Sequence, residues 1–392
     1  MYELSLTGAC LLGVVLYYGA KRFSSSCRVQ IIASDDSSDK LGFPTIRSLL
    51  NEHCPSLTDA SKAYMVPTPY LVSGIMQTAY SAMQTLKRDH LSDITYEREL
   101  LTMSDQGTIS LDWYGDVGGS IAVVMAGVGG SSYEYHIRCL VKVLSGSGYR
   151  VVVMNHRGLG RTPLTSPKLY NVSDTDDFRH TLEHIHGRYP EVPLVGVAFS
   201  MGAALLTKYL GESSSLLSAG LAICSGFDFT LTGRQIDADT WLNNKVFLPM
   251  VVASQLRVVK RNYDMIKAHP AGFDMDALMN AKRISEIDTL VTAKSMGYKD
   301  CWEYYAAAST IPYLDRIQVP FLVINSMDDP MSPTHGLPRD KFTSNPHTAL
   351  ALVRYGGHLG FFSGIRPRIW YLTPAVEFLQ AIANQHLGKA KL

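Results

Sequence analysis

Short apolar runs alternate with helix-like segments through the middle of this chain. Because apolar, β-branched strands that alternate with helices form parallel sheets with both faces covered, this pattern predicts an α/β fold around a mostly parallel sheet. The strand-like runs are Ile121 to Met125, Val151 to Met154, Leu194 to Phe199, Ala219 to Cys224 and Phe321 to Asn325, and helical spacing marks Tyr135 to Leu144 and Asp177 to His186.

Two further strand-like runs, Tyr96 to Met103 and Thr108 to Trp113, flank the polar sequence Asp105-Gln106-Gly107 and predict a hairpin. We expect the main domain to begin here and to span residues 95–392. The preceding residues 23–94 mix serine-rich linker sequence with short helical patterns. We expect them to form a linker and an N-terminal helical segment that lies against the main domain.

The first residues of the chain have the pattern of a membrane anchor. Leu4 to Ala20 carries no charge, and Lys21 and Arg22 follow it. As a helix this run would be about 25 Å long, which is the low end of what a bilayer core requires. Because the charges follow the apolar run, residues 1–22 are predicted to be an uncleaved single-pass anchor, in a membrane such as the endoplasmic reticulum, with the main domain on the cytosolic side. A buried or interfacial helix is the alternative.

Composition narrows the classes of function. With 46% hydrophobic residues, the 392-residue chain can bury a large core. Its 36 Lys and Arg against 35 Asp and Glu leave no basic field, so nucleic-acid binding is not expected. The six cysteines are scattered without a Cys-x-x-Cys pair, which predicts unpaired thiols and no zinc site. We expect neither a metal nor a cofactor.

One strand-like run ends at a serine between small residues. Leu194 to Phe199 leads into Ser200, and the small and apolar residues that follow predict a strand, a sharp turn and a helix. Such a turn lifts the hydroxyl clear of the sheet and directs the first helical N–H groups towards it. Gly202 meets the need for a small residue, while Ala198 stands where glycine is usual. Ser200 is therefore the candidate nucleophile, although this pattern alone is weak.

Two later strand ends supply a carboxylate and a base. Asp328 and Asp329 follow the run that begins at Phe321, and His358 follows the apolar run Leu350 to Arg354. An Asp-Asp-Pro sequence alone is more often a turn, and a lone histidine is usually not catalytic. The order Ser, Asp, His is nevertheless that of an α/β-hydrolase triad, and all three positions follow strands. Together they predict a catalytic site.

The glycine-rich sequence Ala126 to Ser132 follows the strand-like run that ends at Met125. Its glycines allow backbone N–H groups to point at a developing negative charge. The amides of Val128 and Met201 are the candidate oxyanion donors. A phosphate-binding loop is excluded because no Gly-Lys-Ser/Thr sequence follows.

Several motifs together resemble one branch of the α/β-hydrolase superfamily. They are Ala126 to Ser132, Asn155 to Gly160, Phe199 to Gly202, Asp328 to Pro330 and Gly357 to Phe361, joined by Ile284 to Tyr298 and Tyr304 to Ser309. The branch contains membrane-anchored α/β-hydrolase-domain phospholipases, YheT-like esterases and yeast medium-chain ethyl-ester synthases. The resemblance covers residues 95–385 and implies ester or thioester chemistry on acyl chains. It departs at Ala126, where histidine is usual, and at Ala198 and Ala203, where glycine is usual.

The region between Cys224 and Pro320 is predicted to hold a lid. Its roughly ninety residues are too many for a bare loop, and they are rich in apolar side chains. We place the insertion at about residues 228–310, within which Val246 to Val252 and Tyr263 to Ile266 are candidates for an apolar lid over acyl substrates. Ordinary helix packing on the main domain is the alternative.

The predicted function is a serine hydrolase of phospholipase or medium-chain carboxylesterase type that acts on lipid acyl esters. His358 would take the proton of Ser200, and Asp329 would orient His358; Asp329 is favoured over Asp328 because Pro333 matches the loop common after the acidic residue in this fold. The expected partners are a lipid substrate and a membrane.

Two alternatives remain. One is an acyl-CoA:alcohol acyltransferase on the same triad, for which His335 and Asp340 offer only a short His-x4-Asp motif. The other is a catalytically silent hydrolase-fold interaction protein, because a fold alone does not determine function.

Overall fold

Six parallel strands form the centre of a mixed sheet. The structure is a computed structural model that describes residues 25–35, 44–87, 93–116, 119–212, 215–241, 244–245 and 248–389. The strands of the main sheet are β1 (Gln30–Ala33), β2 (Glu97–Thr102), β3 (Thr108–Tyr114), β4 (Ser120–Met125), β5 (Tyr149–Asn155), β6 (Leu194–Phe199), β7 (Leu217–Ile223), β8 (Phe321–Ser326) and β9 (Thr348–Val353). Phe362–Ser363 and Arg368–Ile369 form a separate short ribbon.

The strand order of the main sheet is β1-β9-β8-β7-β6-β4-β5-β3-β2. Strands β4 to β9 pair in parallel, while β2 and β3 extend one edge and β1 extends the other in antiparallel fashion. The mostly parallel sheet predicted from the apolar runs is confirmed, and so is the hairpin, which is β2 and β3.

Helices cover both faces of the sheet, as predicted. They are α1 (Ile46–His53), α2 (Pro55–Thr58), α3 (Gly74–Leu86), α4 (Tyr135–Gly146), α5 (Asp176–Arg188), α6 (Met201–Glu212), α7 (Phe229–Ile236), α8 (Leu248–Arg261), α9 (Tyr263–Lys267), α10 (Met275–Met279), α11 (Ile284–Ile287), α12 (Cys301–Ala308), α13 (Arg339–Ser344) and α14 (Leu372–Lys389). Because side chains alternate along a strand, Ala122 and Val124 pack in the core with α1, α4 and α14, whereas Ile121 and Val123 pack in the core with α5 and α6.

Strand β1 was not predicted from the sequence. Of its four residues only Ala33 is buried, so the run has no clear alternation of apolar and polar positions. Pairing with β9 creates the strand, with Ile31 opposite Ala351. A short edge strand of this kind depends on its neighbour more than on its own sequence.

Helices α7 to α12 occupy the chain between β7 and β8, together with the π-helix Asp288–Ala293. Part of this region has a small hydrophobic core of its own, in which Val252 and Val259 of α8 pack with Phe273 and Leu278. The core also contacts Leu169, which lies before α5. Helix α8 thus packs as an ordinary helix on one side. Its other side lines the site described below.

The predicted anchor, residues 1–22, lies outside the described residues and stays a prediction. Within the part of the chain that the structure describes, no helix combines the length and the apolar character needed to cross a membrane.

Candidate active site

Ser200 occupies the turn between β6 and α6 in a strained backbone conformation. Its φ is +52°, in the left-handed region that side-chain-bearing residues rarely adopt. Its N–H donates to the carbonyl of Ile223 at 2.9 Å, which fixes the turn against β7. A Cβ at Gly202 would stand 2.4 Å from the carbonyl oxygen of Ala126, so the turn requires glycine there. Ala198 is fully buried, and its methyl group is accommodated in the core.

The structure brings Ser200, His358 and Asp329 together. Nε2 of His358 lies 2.8 Å from Oγ of Ser200, and Nδ1 of the same ring lies 2.8 Å from Oδ2 of Asp329. The second carboxylate oxygen of Asp329 accepts the N–H groups of Met331 and Ser332 at 2.8 and 3.0 Å. The Asp329 side chain is completely buried. It therefore has one oxygen directed at the imidazole and one held by the backbone.

Asp328 lies on the other side of this turn. Its Oδ1 accepts the N–H groups of Gly356 and Gly357, both at 2.9 Å, and the hydroxyl of Ser326 at 3.1 Å. Burial raises the pKa of Asp328 above its ordinary value, which these donors partly offset. Asp328 thus braces the backbone just before His358, and Asp329 contacts its ring.

Thr78 of α3 holds the backbone of His358 from the opposite side. Its Oγ1 accepts the His358 N–H at 2.8 Å and donates to the carbonyl of Gly74 at 2.7 Å. Sequence reasoning missed this contact, because a threonine in a helix that lies far from His358 along the chain carries no visible signal.

The glycine loop, residues 126–132, passes beside Ser200. A Cβ placed on Gly127 would stand 2.9 Å from Cβ of Ser200. The Val128 N–H donates to no acceptor in the described part of the chain. Met201 is the first residue of α6, so its N–H has no carbonyl one turn earlier in the helix. Both candidate oxyanion amides therefore belong to segments that adjoin Ser200, and neither N–H has an acceptor among the described residues.

Two groups of side chains hold the glycine loop. At its end, the Ser132 N–H donates to Oδ1 of Asn155 at 2.9 Å, and Nδ2 of Asn155 donates to Asp112 at 2.9 Å. In its middle, the Gly129 N–H donates to the Tyr170 hydroxyl at 2.9 Å. The Tyr170 ring stacks on His156, with 4.7 Å between ring centroids. These contacts give Asn155 and His156, two residues of the Asn155-His156-Arg157 motif, a role in holding the glycine loop.

Arg157 completes that motif in a buried ion-pair network. Its guanidinium donates to Asp177 at 2.7 and 2.8 Å and to Asp105 at 2.6 and 2.9 Å. The Arg157 side chain is only 2% exposed. The network connects the β2–β3 hairpin to the start of α5.

A cavity of about 350 Å³ opens onto Ser200. Besides Ser200 and His358, the lining includes residues of α3, of the glycine loop and of the side of α8 that contains Met250 and Val251. The size and mainly apolar lining suit a small-molecule or acyl-chain site. Neither His335 nor Asp340 belongs to the lining, so the His-x4-Asp sequence lies apart from this cavity.

Two buried groups border the reacting side chains. His136 lines the cavity, and burial together with the charge of His358 lowers its pKa to about 3, so its ring is neutral at pH 7. The Cys224 thiol accepts the Leu359 N–H at 3.2 Å, and burial raises its pKa well above the ordinary value. Cys224, Asp329 and His358 could offer three ligand atoms within 4.8 Å of one another. A metal there would have to displace His358 from its hydrogen bonds to Asp329 and Ser200.

A family model described as alpha/beta hydrolase fold matches residues 123–365. The chain belongs to the α/β-hydrolase fold family. Human phospholipase ABHD3 is 32% identical to this hydrolase over 357 residues, which cover 88% of this chain and 84% of the relative. Mouse monoacylglycerol lipase ABHD2 is 30% identical over 367 residues, covering 87% and 84% of the two chains. The branch of α/β-hydrolase-domain proteins predicted from the motifs is confirmed.

Solved structures agree on the fold. The Pyrococcus furiosus esterase Pf2001 matches this hydrolase with a TM-score of 0.50 and 17% identity, over 74% of this chain and 93% of the esterase chain. The α/β-hydrolase fold class predicted from the strand pattern is therefore confirmed.

Proposed function

We propose that this chain is a serine hydrolase that cleaves acyl esters of lipids, with Ser200 as nucleophile, His358 as base and Asp329 as its orienting carboxylate. The observation that carries the proposal is the continuous hydrogen-bonded chain Ser200–His358–Asp329 at the mouth of a largely apolar cavity. Relatives named phospholipase and monoacylglycerol lipase support a lipid ester as the substrate.

In the first half of the reaction, Oγ of Ser200 attacks the ester carbonyl while Nε2 of His358 takes the hydroxyl proton. The imidazolium that forms is stabilised by Asp329 across the 2.8 Å contact to Nδ1. His358 then gives its proton to the departing alcohol, which leaves an acyl group on Ser200. In the second half, His358 takes a proton from water as it attacks the acyl-enzyme, the bond between Oγ of Ser200 and the acyl group breaks, and His358 returns the proton to Oγ as the acid departs.

The negative charge of each tetrahedral intermediate requires donors that are in place before the reaction. We assign this role to the backbone amides of Val128 and Met201. Their position beside Ser200 and their lack of competing acceptors support the assignment. A donor of this kind typically contributes about 3 kcal/mol of transition-state stabilisation.

The acyl chain would lie in the cavity between α3 and α8. Leu86, Met250 and Val251 supply apolar surface there, and Arg257 adds a charged side chain to the lining. A lipid ester could therefore place its chain against α8 while its carbonyl meets Ser200.

Hydrolysis of a lipid panel by the purified full chain tests the proposal. Monoacylglycerol and phospholipid should release free fatty acid, and Ser200→Ala should abolish that release. Acyl-CoA with an alcohol serves as the competing reaction, because formation of an ester in place of free acid would identify a transferase. No turnover of any ester by folded protein would contradict the proposal.

A further inference from the structure

Helix α3 packs on the domain with its polar face towards the interior. Its buried residues are Gly74, Gln77, Thr78, Ser81 and Gln84. Its exposed side chains include Met76, Met83 and Leu86, which are 43%, 56% and 75% exposed. A helix on a globular protein normally buries its apolar face, so this arrangement requires an explanation.

Specific hydrogen bonds fix the helix in this orientation. Nε2 of Gln77 donates to the carbonyls of Leu71 and Phe362 at 2.8 and 3.1 Å, and its Oε1 accepts the Phe362 N–H at 2.6 Å. Ser81 donates to the carbonyl of Leu359 at 3.1 Å. Rotation of the helix to bury its methionines would break these bonds and the contact between Thr78 and His358, at a cost that apolar burial would have to exceed.

Exposed apolar side chains also precede the helix. Before α3, the side chains of Val66, Tyr70 and Val72 are 45%, 53% and 46% exposed. At the end of α3, Leu86 belongs both to the exposed face and to the lining of the Ser200 cavity, so the face adjoins that cavity. Met76, Met83 and Leu86 share one face of α3 by helical spacing, and exposed apolar surface of this kind marks an interaction site.

The charges of the segment favour a lipid surface as the partner. Residues 66–87 contain no Asp or Glu, and the exposed Lys87 follows Leu86. Arg257, also exposed, lies at the cavity on the side of α8. Glu134 lines the same cavity and faces Arg257, so the exposed cation at the face itself is Lys87. An apolar helix face that carries no acidic group and ends in a cation is the composition with which proteins bind the headgroup region of an anionic bilayer.

We propose that the apolar face of α3, formed by Met76, Met83 and Leu86, docks on an anionic bilayer surface and holds the cavity opening against the lipid. The inference rests on the proposed function for the identity of the substrate. It concerns a surface of the folded domain, separate from the predicted anchor at residues 1–22. Docking in this orientation would let an ester pass from the bilayer to Ser200 without crossing water.

A probe at residue 83 tests docking independently of the anchor. The full-length Met83→Cys variant carries an environment-sensitive fluorophore, and a Ser344→Cys variant labelled in the same way serves as the control, because exposed Ser344 ends α13 away from the cavity. On phosphatidylcholine and phosphatidylserine vesicles, the probe at 83 should shift to the blue and be quenched by spin-labelled lipid. The probe at 344 should do neither. Labelled wild type corrects for native cysteines.

Enzyme kinetics provide the second measurement. Met83→Asp should lower hydrolysis of an ester embedded in these vesicles about tenfold, because it replaces apolar surface with a charge that the anionic bilayer repels. The same variant should hydrolyse a water-soluble short-chain ester at the wild-type rate. Equal quenching at positions 83 and 344, or shielding of residue 83 already without vesicles as in a protein contact, would overturn the docking proposal. If the wild-type protein shows no esterase activity, the proposed function is overturned, while the fluorescence still reports on docking.

Discussion

Nδ1 of His358 lies 2.8 Å from Oδ2 of Asp329, although a second carboxylate, that of Asp328, immediately precedes Asp329 in the chain. The two carboxylates are directed at different targets. Asp329 faces the imidazole, and Asp328 accepts two backbone N–H groups of the turn before His358. Their separate positions predict separate consequences of substitution.

Asp329→Asn should lower kcat by about 10³- to 10⁴-fold, because an amide at this position cannot hold the imidazole in the tautomer that accepts the Ser200 proton. Asp328→Asn should retain most activity, since its amide oxygen can still accept the N–H groups of Gly356 and Gly357. Steady-state kinetics on a soluble ester will compare the two. An inactive Asp328→Asn beside an active Asp329→Asn would reverse the assignment.

Tyr170 provides a second kinetic prediction, through the glycine loop. Gly130 N–H donates to the carbonyl of Gly127 at 3.0 Å, and Gly129 between them has a φ of +67°, as in a type II turn. The Tyr170 hydroxyl fixes the central peptide of this turn next to the Val128 amide. Tyr170→Phe should therefore lower kcat about tenfold with KM unchanged, which corresponds to the loss of one hydrogen bond.

Tyr304→Phe is the matched control for Tyr170→Phe. The buried Tyr304 hydroxyl also accepts a backbone N–H, from Val172 at 3.4 Å, but it does not contact the glycine loop. Both variants should lose similar stability in thermal unfolding, and only Tyr170→Phe should bind a trifluoromethyl ketone more weakly. Equal kcat values in the two variants would refute a positioning role for Tyr170.

The buried position of Arg157 predicts a large effect on stability. Arg157→Met leaves two carboxylates, those of Asp105 and Asp177, without their shared partner, and loss of one member of a buried ion pair costs about 3–5 kcal/mol. Lys142→Met breaks the exposed pair with Asp93 and should not change the free energy of unfolding measurably. Urea unfolding of both variants checks this contrast, and equal losses would contradict it.

Because of His136, the free energy of unfolding should decrease as the solution becomes acidic. Burial and the charge of His358 lower its pKa from 6.5 to about 3 in the folded chain. Between these values the unfolded chain binds a proton that the folded chain does not, so stability rises with pH across the window and is lost as pH falls below 6.5.

Replacement of His136 should remove that loss. From pH 7 to pH 5, wild type should lose about 2 kcal/mol of unfolding free energy more than His136→Phe, since each unit of pKa difference is worth about 1.4 kcal/mol. Urea titrations at the two pH values measure the difference. Parallel losses in the two proteins would show that His136 does not titrate on unfolding.

The sequence predicted the parts of the fold that are continuous in the chain. Strand β6 has the predicted bounds Leu194–Phe199, because a buried parallel strand is apolar on both faces and leaves a clear run. The order of Ser200, Asp329 and His358 could be predicted for the same reason, because each of the three follows a clear apolar run.

Contacts made at long separation could not be predicted. The Thr78–His358 bond joins residues far apart in the chain, and the orientation of α3 contradicts its own hydrophobic pattern. Periodicity normally places the apolar residues of a helix inward, whereas Met76 is 43% exposed. The hydrogen bonds of Gln77, Thr78 and Ser81 in the folded chain select the observed face.

Covalent labelling by a fluorophosphonate probe tests whether Ser200 is an activated nucleophile. Wild type, Ser200→Ala and His358→Ala would be labelled in detergent at matched concentration, with thermal unfolding to show that each is folded. We expect a labelled wild type, with Ser200 as the modified residue, and no labelling of either variant. Labelling that persists in Ser200→Ala, or its absence in folded wild type, would contradict an activated Ser200.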